Sequence, residues 1–341
     1  MIVAYPFLKT FMDFLSWLVA ILTALVTFAL YGSPATHQHI DGPDEEDETL
    51  TSMYLYKPTV YPGAGYSTSI YGRTRYYVFG NPEGKRVVLV HGISVPCVIF
   101  KPLAKALADA GYCVLTYDLY GRGYSDAPGV LYDEALHTMQ LYLLLQHMEW
   151  TKCHVVGLSM GGGIATSFSH HYPDVVQSLT LLAPAGLMAP QEINLLGQVI
   201  VQPGVGSVFA GLLQKLMQFP LAYSTLSNQF PQNAEFPLRR VVLDQIRLHK
   251  GFTRAVASSL RHYPLTKLHD AYHAVGKHTY PVMVVWGDQD TIVPYEACAT
   301  RLTWHIPRAK LHIVPGAGHN AVFTHGDFVG ALLVQFLNAL T

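Results

Sequence analysis

Residues 153–163 read Cys-His-Val-Val-Gly-Leu-Ser-Met-Gly-Gly-Gly. The run Cys153 to Gly157 is a short apolar stretch suited to a buried strand, and Gly161 opens a stretch that reads as a helix. Gly157-Leu158-Ser159-Met160-Gly161 therefore falls between strand and helix. In that place a Gly-x-Ser-x-Gly forms a tight, strained turn that lifts the serine oxygen above the sheet. The flanking glycines are required because a side chain would collide across so sharp a bend, and positive φ costs glycine little. The pattern gains meaning only if an acid, a histidine and an oxyanion donor occur where such a sheet would place them.

Working outward, strands and helices alternate. Val87 to Val90, Cys113 to Tyr117, Cys153 to Gly157 and Leu179 to Ala183 read as strands. The intervening stretches Lys101 to Ala110, Tyr132 to Trp150 and Gly161 to His171 read as helices. Tyr66 to Ile70 and Tyr76 to Phe79 precede them as strand-like runs. The rhythm returns with strands Val282 to Trp286 and Leu311 to Val314, and helices near Glu296 to Leu302 and Phe328 to Ala339. This alternation predicts an α/β fold, a mostly parallel sheet with helices on both faces. Between its two parts, Leu187 to Val275 has no clear strand, is apolar and is broken by Pro190, Pro203, Pro220, Pro231 and Pro237. An insertion of this kind predicts a helical cap. The expected organisation is an N-terminal segment 1–31, a linker 32–53, core 54–186, cap 187–275 and core 276–341.

The N-terminus reads differently. Phe14 to Tyr31 is 18 residues without a charge, close to the length that spans a bilayer. The alternatives are a cleaved signal peptide, which would leave a secreted protein, and a buried core helix. Lys9 precedes the run and no Lys or Arg follows it until Lys57, so a cytosolic N-terminus and a lumenal or extracellular catalytic domain are expected. The acidic tract after it (Asp44 to Glu48) marks a solvated, flexible linker whose roughly 20 residues would span about 25 Å. A net charge of −1 gives no electrostatic reason to expect nucleic acid. The expected partners are a membrane and a small-molecule or lipid substrate.

The strand ending at Trp286 runs into Gly287-Asp288-Gln289-Asp290, and the strand ending at Val314 runs into Gly316-Ala317-Gly318-His319. Both follow the carboxyl ends of parallel strands, where active-site loops of open α/β sheets converge. The chain order is Ser, Asp, His. From the residues alone, either Asp288 or Asp290 could be the acid.

From about residue 54 onward the chain resembles an α/β-hydrolase-fold serine hydrolase with a cap. The resemblance rests on His91-Gly92-Ile93, Asp118-Leu-Tyr-Gly121-Arg-Gly123-Tyr-Ser125, Gly157-Leu-Ser159-Met-Gly161, Gly287-Asp288-Gln-Asp290 and Gly318-His319. The Ser-Met-Gly-Gly elbow with an N-terminal anchor is similar to membrane-bound monoacylglycerol-lipase-like members. The resemblance implies Ser159 as nucleophile, His319 as base and Asp290 as the acid that orients it, with the backbone N–H groups of Ile93 and Met160 as oxyanion donors. It implies an acyl-enzyme route that uses no cofactor, and it leaves Asp288 to support its loop. His91 would brace the oxyanion loop, and Asp118, Arg122 and Ser125 would fix the loop after their strand. A peptidase, a thioesterase, a carbon–carbon bond hydrolase on the same triad and a silent binding module stay as alternatives.

Four scattered cysteines (Cys97, Cys113, Cys153, Cys298) show no metal or disulfide spacing. Among 17 histidines, His269 and His273 stand four apart with His262 and His278 nearby, yet no zinc motif accompanies them, so no metal site is expected. The uncharged character of Leu187 to Pro220, where Glu192 and Lys215 are the only charges, suits a pocket roof or a membrane-contacting surface and so a lipophilic ester.

Overall fold

A computed structural model of the chain describes residues 39–53, 55–192, 205–219, 222–224 and 236–340. Eight strands form one sheet in the order β1-β2-β4-β3-β5-β6-β7-β8. They are β1 Ala64–Ser69, β2 Gly72–Gly80, β3 Arg86–Val90, β4 Cys113–Tyr117, β5 Cys153–Leu158, β6 Val176–Leu182, β7 Val282–Gly287 and β8 Lys310–Val314. The pairings from β4 through β8 are parallel, while β1 and β2 join antiparallel at one edge. The central strands β4, β5 and β7 are buried at every residue, which is why they read as unbroken apolar runs.

Side chains alternate across this sheet and feed two cores. Val88, Val90, Leu115 and Val155 enter one, with Leu141, Ile164, Phe168 and Tyr272. Val87, Leu89, Val114 and Val156 enter the other, with Leu103, Leu107, Leu333 and Leu337. The covering helices are α2 Lys101–Asp109, α3 Glu134–His147 and α4 Met160–His171 from the first half of the chain. The second half adds α8 His269–Lys277, α9 Tyr295–His305, the short α10 Ala321–Thr324 and α11 Gly326–Asn338. The four cysteines are buried and unpaired, as small apolar side chains commonly are.

Between β6 and β7 the described residues hold helices and no strand: α5 Val205–Met217, α6 Phe236–Leu248 and α7 Phe252–His262, before α8 leads back to the sheet. A small core of Met217, Tyr223, Leu243, Ile246 and Phe252 holds this layer together.

The stretch expected to be a flexible linker departs from that expectation. From His39 onward it is docked on the domain. Ile40 forms a β-bridge with Ala127, and the Gly42 N–H donates to Asp126 Oδ1 at 2.8 Å. Glu45 pairs with Arg75 at 2.8 Å, and residues Glu48–Met53 form helix α1. The physical reason lies with Arg75, whose side chain is buried and needs a carboxylate. Read as a charge run, the acidic tract conceals that Glu45 has a specific partner. Among the described residues no helix is long and apolar enough to cross a membrane. The expected membrane segment Phe14–Tyr31 lies outside them.

Candidate active site

β5 delivers Ser159 into a turn with φ of 56° and ψ of −122°, and α4 begins at the next residue. Such left-handed strain in a non-glycine residue persists only where its surroundings impose it. Here they do. A Cβ on Gly157 would lie 2.2 Å from the Gly161 carbonyl oxygen, and one on Gly161 would lie 2.1 Å from the Val90 carbonyl oxygen. The Ser159 N–H donates to the Leu182 carbonyl at 2.9 Å, which pins the turn to the neighbouring strand. Met160 is the first residue of α4, where backbone N–H groups have no carbonyl within the helix to bond.

His319 and Asp290 are brought together across the ends of β7 and β8. His319 Nδ1 lies 2.8 Å from Asp290 Oδ2, while Asp290 Oδ1 accepts the N–H groups of Ile292 (2.9 Å) and Val293 (3.0 Å). The Asp290 side chain is fully buried. These contacts fix the carboxylate so that the imidazole presents Nε2 as its remaining nitrogen. Asp288 is exposed and accepts the Gly316 N–H at 2.7 Å, tying the loop that carries His319. The two candidate acids are thereby separated by geometry: Asp290 faces the histidine and Asp288 the loop.

Ser159 and His319 line one cavity of about 270 Å³ with Gly92 and Ile93. Its walls are mainly apolar, from Val95, Ile99, Leu158, Leu238, Val242 and Ile292, with Arg239 as a cationic contribution from α6.

The loop after β3 is held from below and from the cap. His91 is fully buried; its Nε2 accepts the Leu119 N–H at 2.9 Å, so Nδ1 carries the proton and donates to the Gly92 carbonyl at 2.8 Å. Burial pushes its pKa down to about 3. Arg122 is fully buried as well. It donates from Nε to the Ile93 carbonyl at 3.0 Å and from its terminal nitrogens to the Tyr120 carbonyl and Ser259 Oγ, both at 2.8 Å. Burial lowers its pKa to about 10, so it stays a cation at neutral pH. Asp118 accepts the N–H groups of Cys97 and Tyr124 and the Tyr56 hydroxyl, and a Cβ on Gly123 would fall 2.0 Å from its carboxylate.

Sequence reasoning missed Gln245. From α6 its Nε2 donates to the Ser94 carbonyl at 2.9 Å, and its Oε1 accepts the Gly123 N–H at 2.8 Å. The one available signal was a lone amide within an otherwise apolar-and-charged helix. The histidines singled out for spacing do not form a metal cluster: His269 Nδ1 and His305 Nε2 share a hydrogen bond of 3.0 Å. Among the described residues, His39, Asp41 and Asp126 are the group close enough to one another to hold a cation. Both Asp126 oxygens already accept backbone N–H groups, from Gly42 and Arg73.

The sequence pattern of the α/β-hydrolase fold family matches residues 85–326. The chain belongs to that family. Membership places it among the hydrolases. Among similar proteins, one from Synechocystis named "Putative non-heme chloroperoxidase" is 30% identical over 259 residues, 74% of this chain and 91% of that protein. A 2-hydroxy-6-oxononadienedioate/2-hydroxy-6-oxononatrienedioate hydrolase from Burkholderia vietnamiensis is 28% identical, over 74% of this chain and 86% of that one. The crystal structure of a bacterial membrane phospholipase A has the same fold with a TM-score of 0.65 at 19% identity, covering 97% of this chain and 99% of that one.

Proposed function

We propose that this α/β-hydrolase cleaves a carboxylic ester with a lipophilic acyl group through Ser159, His319 and Asp290. The observation that carries the reading is the 2.8 Å contact of His319 with Asp290, on the cavity that also holds Ser159. Ser159 Oγ attacks the acyl carbon while His319 Nε2 takes its proton; the carbonyl electrons move onto oxygen, where the Ile93 and Met160 N–H groups receive the charge. Collapse expels the alcohol, which takes the proton back from His319. Water then repeats the sequence on the acyl-enzyme, releasing the acid and restoring Ser159. Asp290 holds the tautomer and offsets the imidazolium charge. The apolar walls support a hydrocarbon chain.

The N-terminal run Phe14–Tyr31 supports a single-pass membrane protein with the catalytic domain lumenal or extracellular. Labelling with a fluorophosphonate, followed by a chain-length series of esters, tests the reading. Wild type should label and Ser159→Ala should not; a folded wild type that fails to label overturns it. Preference for acetyl over longer esters would remove the lipophilic part and leave the hydrolase.

A second reading is carbon–carbon bond hydrolysis of an acidic dienone. Its support is Arg239 on the cavity wall, together with relatives named for that class of substrate. Turnover of such a dicarboxylate, lost in Arg239→Gln, would favour it over the ester.

A further inference from the structure

Helix α5 has two faces of different fate. Leu213 and Met217 pack into the cap with Leu243, Ile246 and Phe252. Leu212, Leu216 and, just past the helix end, Phe219 are 56%, 47% and 64% exposed. Their four- and three-residue steps place them on one flank. Three large apolar side chains in a row on solvent mark a contact surface more often than a random patch.

The surroundings state what kind of surface it meets. Lys215 is exposed within the same turn as Leu212 and Leu216. Gln214 Nε2 donates to the Lys250 carbonyl at 3.1 Å, which brings exposed Lys250 to the helix. Across residues 187–275 there are eight Lys and Arg against four Asp and Glu, in a chain whose net charge is −1. Of these cations, exposed Lys215 and Lys250 are the two that stand beside the apolar flank.

The path of the chain adds an argument that rests on the proposed membrane segment Phe14–Tyr31. Ile40 bridges Ala127, and Ala127 packs against Gly251, where an added Cβ would lie 2.2 Å from the alanine's own. Gly251 follows Lys250, so the N-terminal stretch reaches the domain beside α5. Between Tyr31, the end of the apolar run, and His39 there are only seven residues. Fully extended they reach at most about 25 Å.

We propose that the Leu212, Leu216 and Phe219 flank, rimmed by Lys215 and Lys250, docks on an anionic phospholipid surface. The apolar side chains enter the headgroup boundary while the lysines meet lipid phosphates. Docking fixes the cap against the bilayer and would serve any substrate class, so it stands apart from the ester reading.

The test places a fluorophore on Leu216→Cys in the full chain, all four native cysteines being buried. A matching label on Ile70→Cys, at the β1–β2 turn and 91% exposed, is the control. Both are reconstituted in phosphatidylcholine vesicles carrying nitroxide lipids, with or without phosphatidylglycerol. The label at position 216 should be quenched several-fold more than that at 70, and more so with phosphatidylglycerol. Equal quenching at the two positions in vesicle-bound protein overturns the proposal. Lys215→Gln and Lys250→Gln should each lower the docked-to-undocked ratio roughly five-fold; an unchanged ratio removes the anionic lipid from the assignment. Leu212→Ser with Phe219→Ser should abolish the difference in quenching yet hydrolyse a short soluble ester at the parental rate. That rate also separates lost docking from a wrong view of the reaction.

Discussion

Gln245 of the cap and Ser94 of the loop after β3 are joined by a 2.9 Å hydrogen bond, and the same amide accepts from Gly123 on the loop after β4. Arg122 makes a parallel link, from Ile93 in the loop to Ser259 in α7. The backbone expected to receive the oxyanion is thus held by carbonyl contacts at two successive residues, one of them made directly by the cap. Cap and oxyanion loop are therefore one mechanical unit. The cap does more than roof the pocket.

Gln245 then acts as a positioning residue. Gln245→Leu leaves the buried Gly123 N–H unpaired, at about 1–3 kcal/mol, and the half-buried Ser94 carbonyl without this donor, at a smaller cost. A loop that relaxes in response misplaces the Ile93 N–H, and a lost oxyanion donor costs about 10²–10³ in rate. The expected outcome is a kcat lowered by roughly ten- to a hundred-fold with KM little changed, since the contact strengthens only as charge develops. Steady-state kinetics beside a thermal melt decide it. A lower melting temperature with normal kcat would make Gln245 purely structural.

The two aspartates after β7 predict opposite outcomes. Asp290→Asn replaces the acceptor of His319 Nδ1 and favours the wrong tautomer, for which a loss on the order of 10⁴ in kcat is expected. Asp288→Asn keeps an oxygen able to accept the Gly316 N–H and should change kcat by only about two-fold, as for an exposed loop contact. Comparable losses in the two variants would reopen the assignment of the acid.

These aspartates also show where the sequence was informative. Strand and helix positions were legible because a sheet covered on both faces demands continuous apolar runs, and Cys113–Tyr117 matches its predicted bounds. Strand ends confined the candidates to Ser159, His319 and the pair Asp288 and Asp290; the choice within the pair rested on the family resemblance, and the 2.8 Å contact of His319 is with Asp290. Gln245 was not legible, since it acts through a contact 151 residues distant in sequence, and a lone amide in its helix says nothing of its partner. The docking of residues 39–53 was hidden for a related reason. A run of acids reads as solvated until Arg75, buried from the far side, claims one of them.

Gly161 tests the elbow without touching the proposed triad. Its missing side chain leaves room for the carbonyls of Val90 and His91, and a Cβ there would lie 2.1 and 2.4 Å from them. Those atoms are backbone, so they cannot swing aside. Gly161→Ala should destabilise the fold by about 1–3 kcal/mol through overpacking and reduce fluorophosphonate labelling at Ser159. Parental stability and labelling in this variant would mean that the strand β3 end yields more easily than its packing suggests.

Buried neutral histidines set a pH dependence of stability. Burial lowers His91 to about 3 and His249 to about 4. His249 Nδ1 accepts the Gly251 N–H, so protonation would also break that contact. An unfolded histidine titrates near 6.5, as model peptides do. Between that value and the folded ones the unfolded chain binds more protons, so unfolding free energy rises with pH. Stability is therefore fully present above about 6.5 and drains away as the pH falls toward 4 and then 3, at up to roughly 1.4 kcal/mol per pH unit for each histidine. Urea midpoints at pH 7.5, 6.5 and 5.5 should be level over the first interval and fall over the second, before the carboxylates titrate. His249→Gln, which retains an acceptor for Gly251, should make the second fall shallower. An identical slope in that variant would show that His249 takes up its proton without leaving the fold.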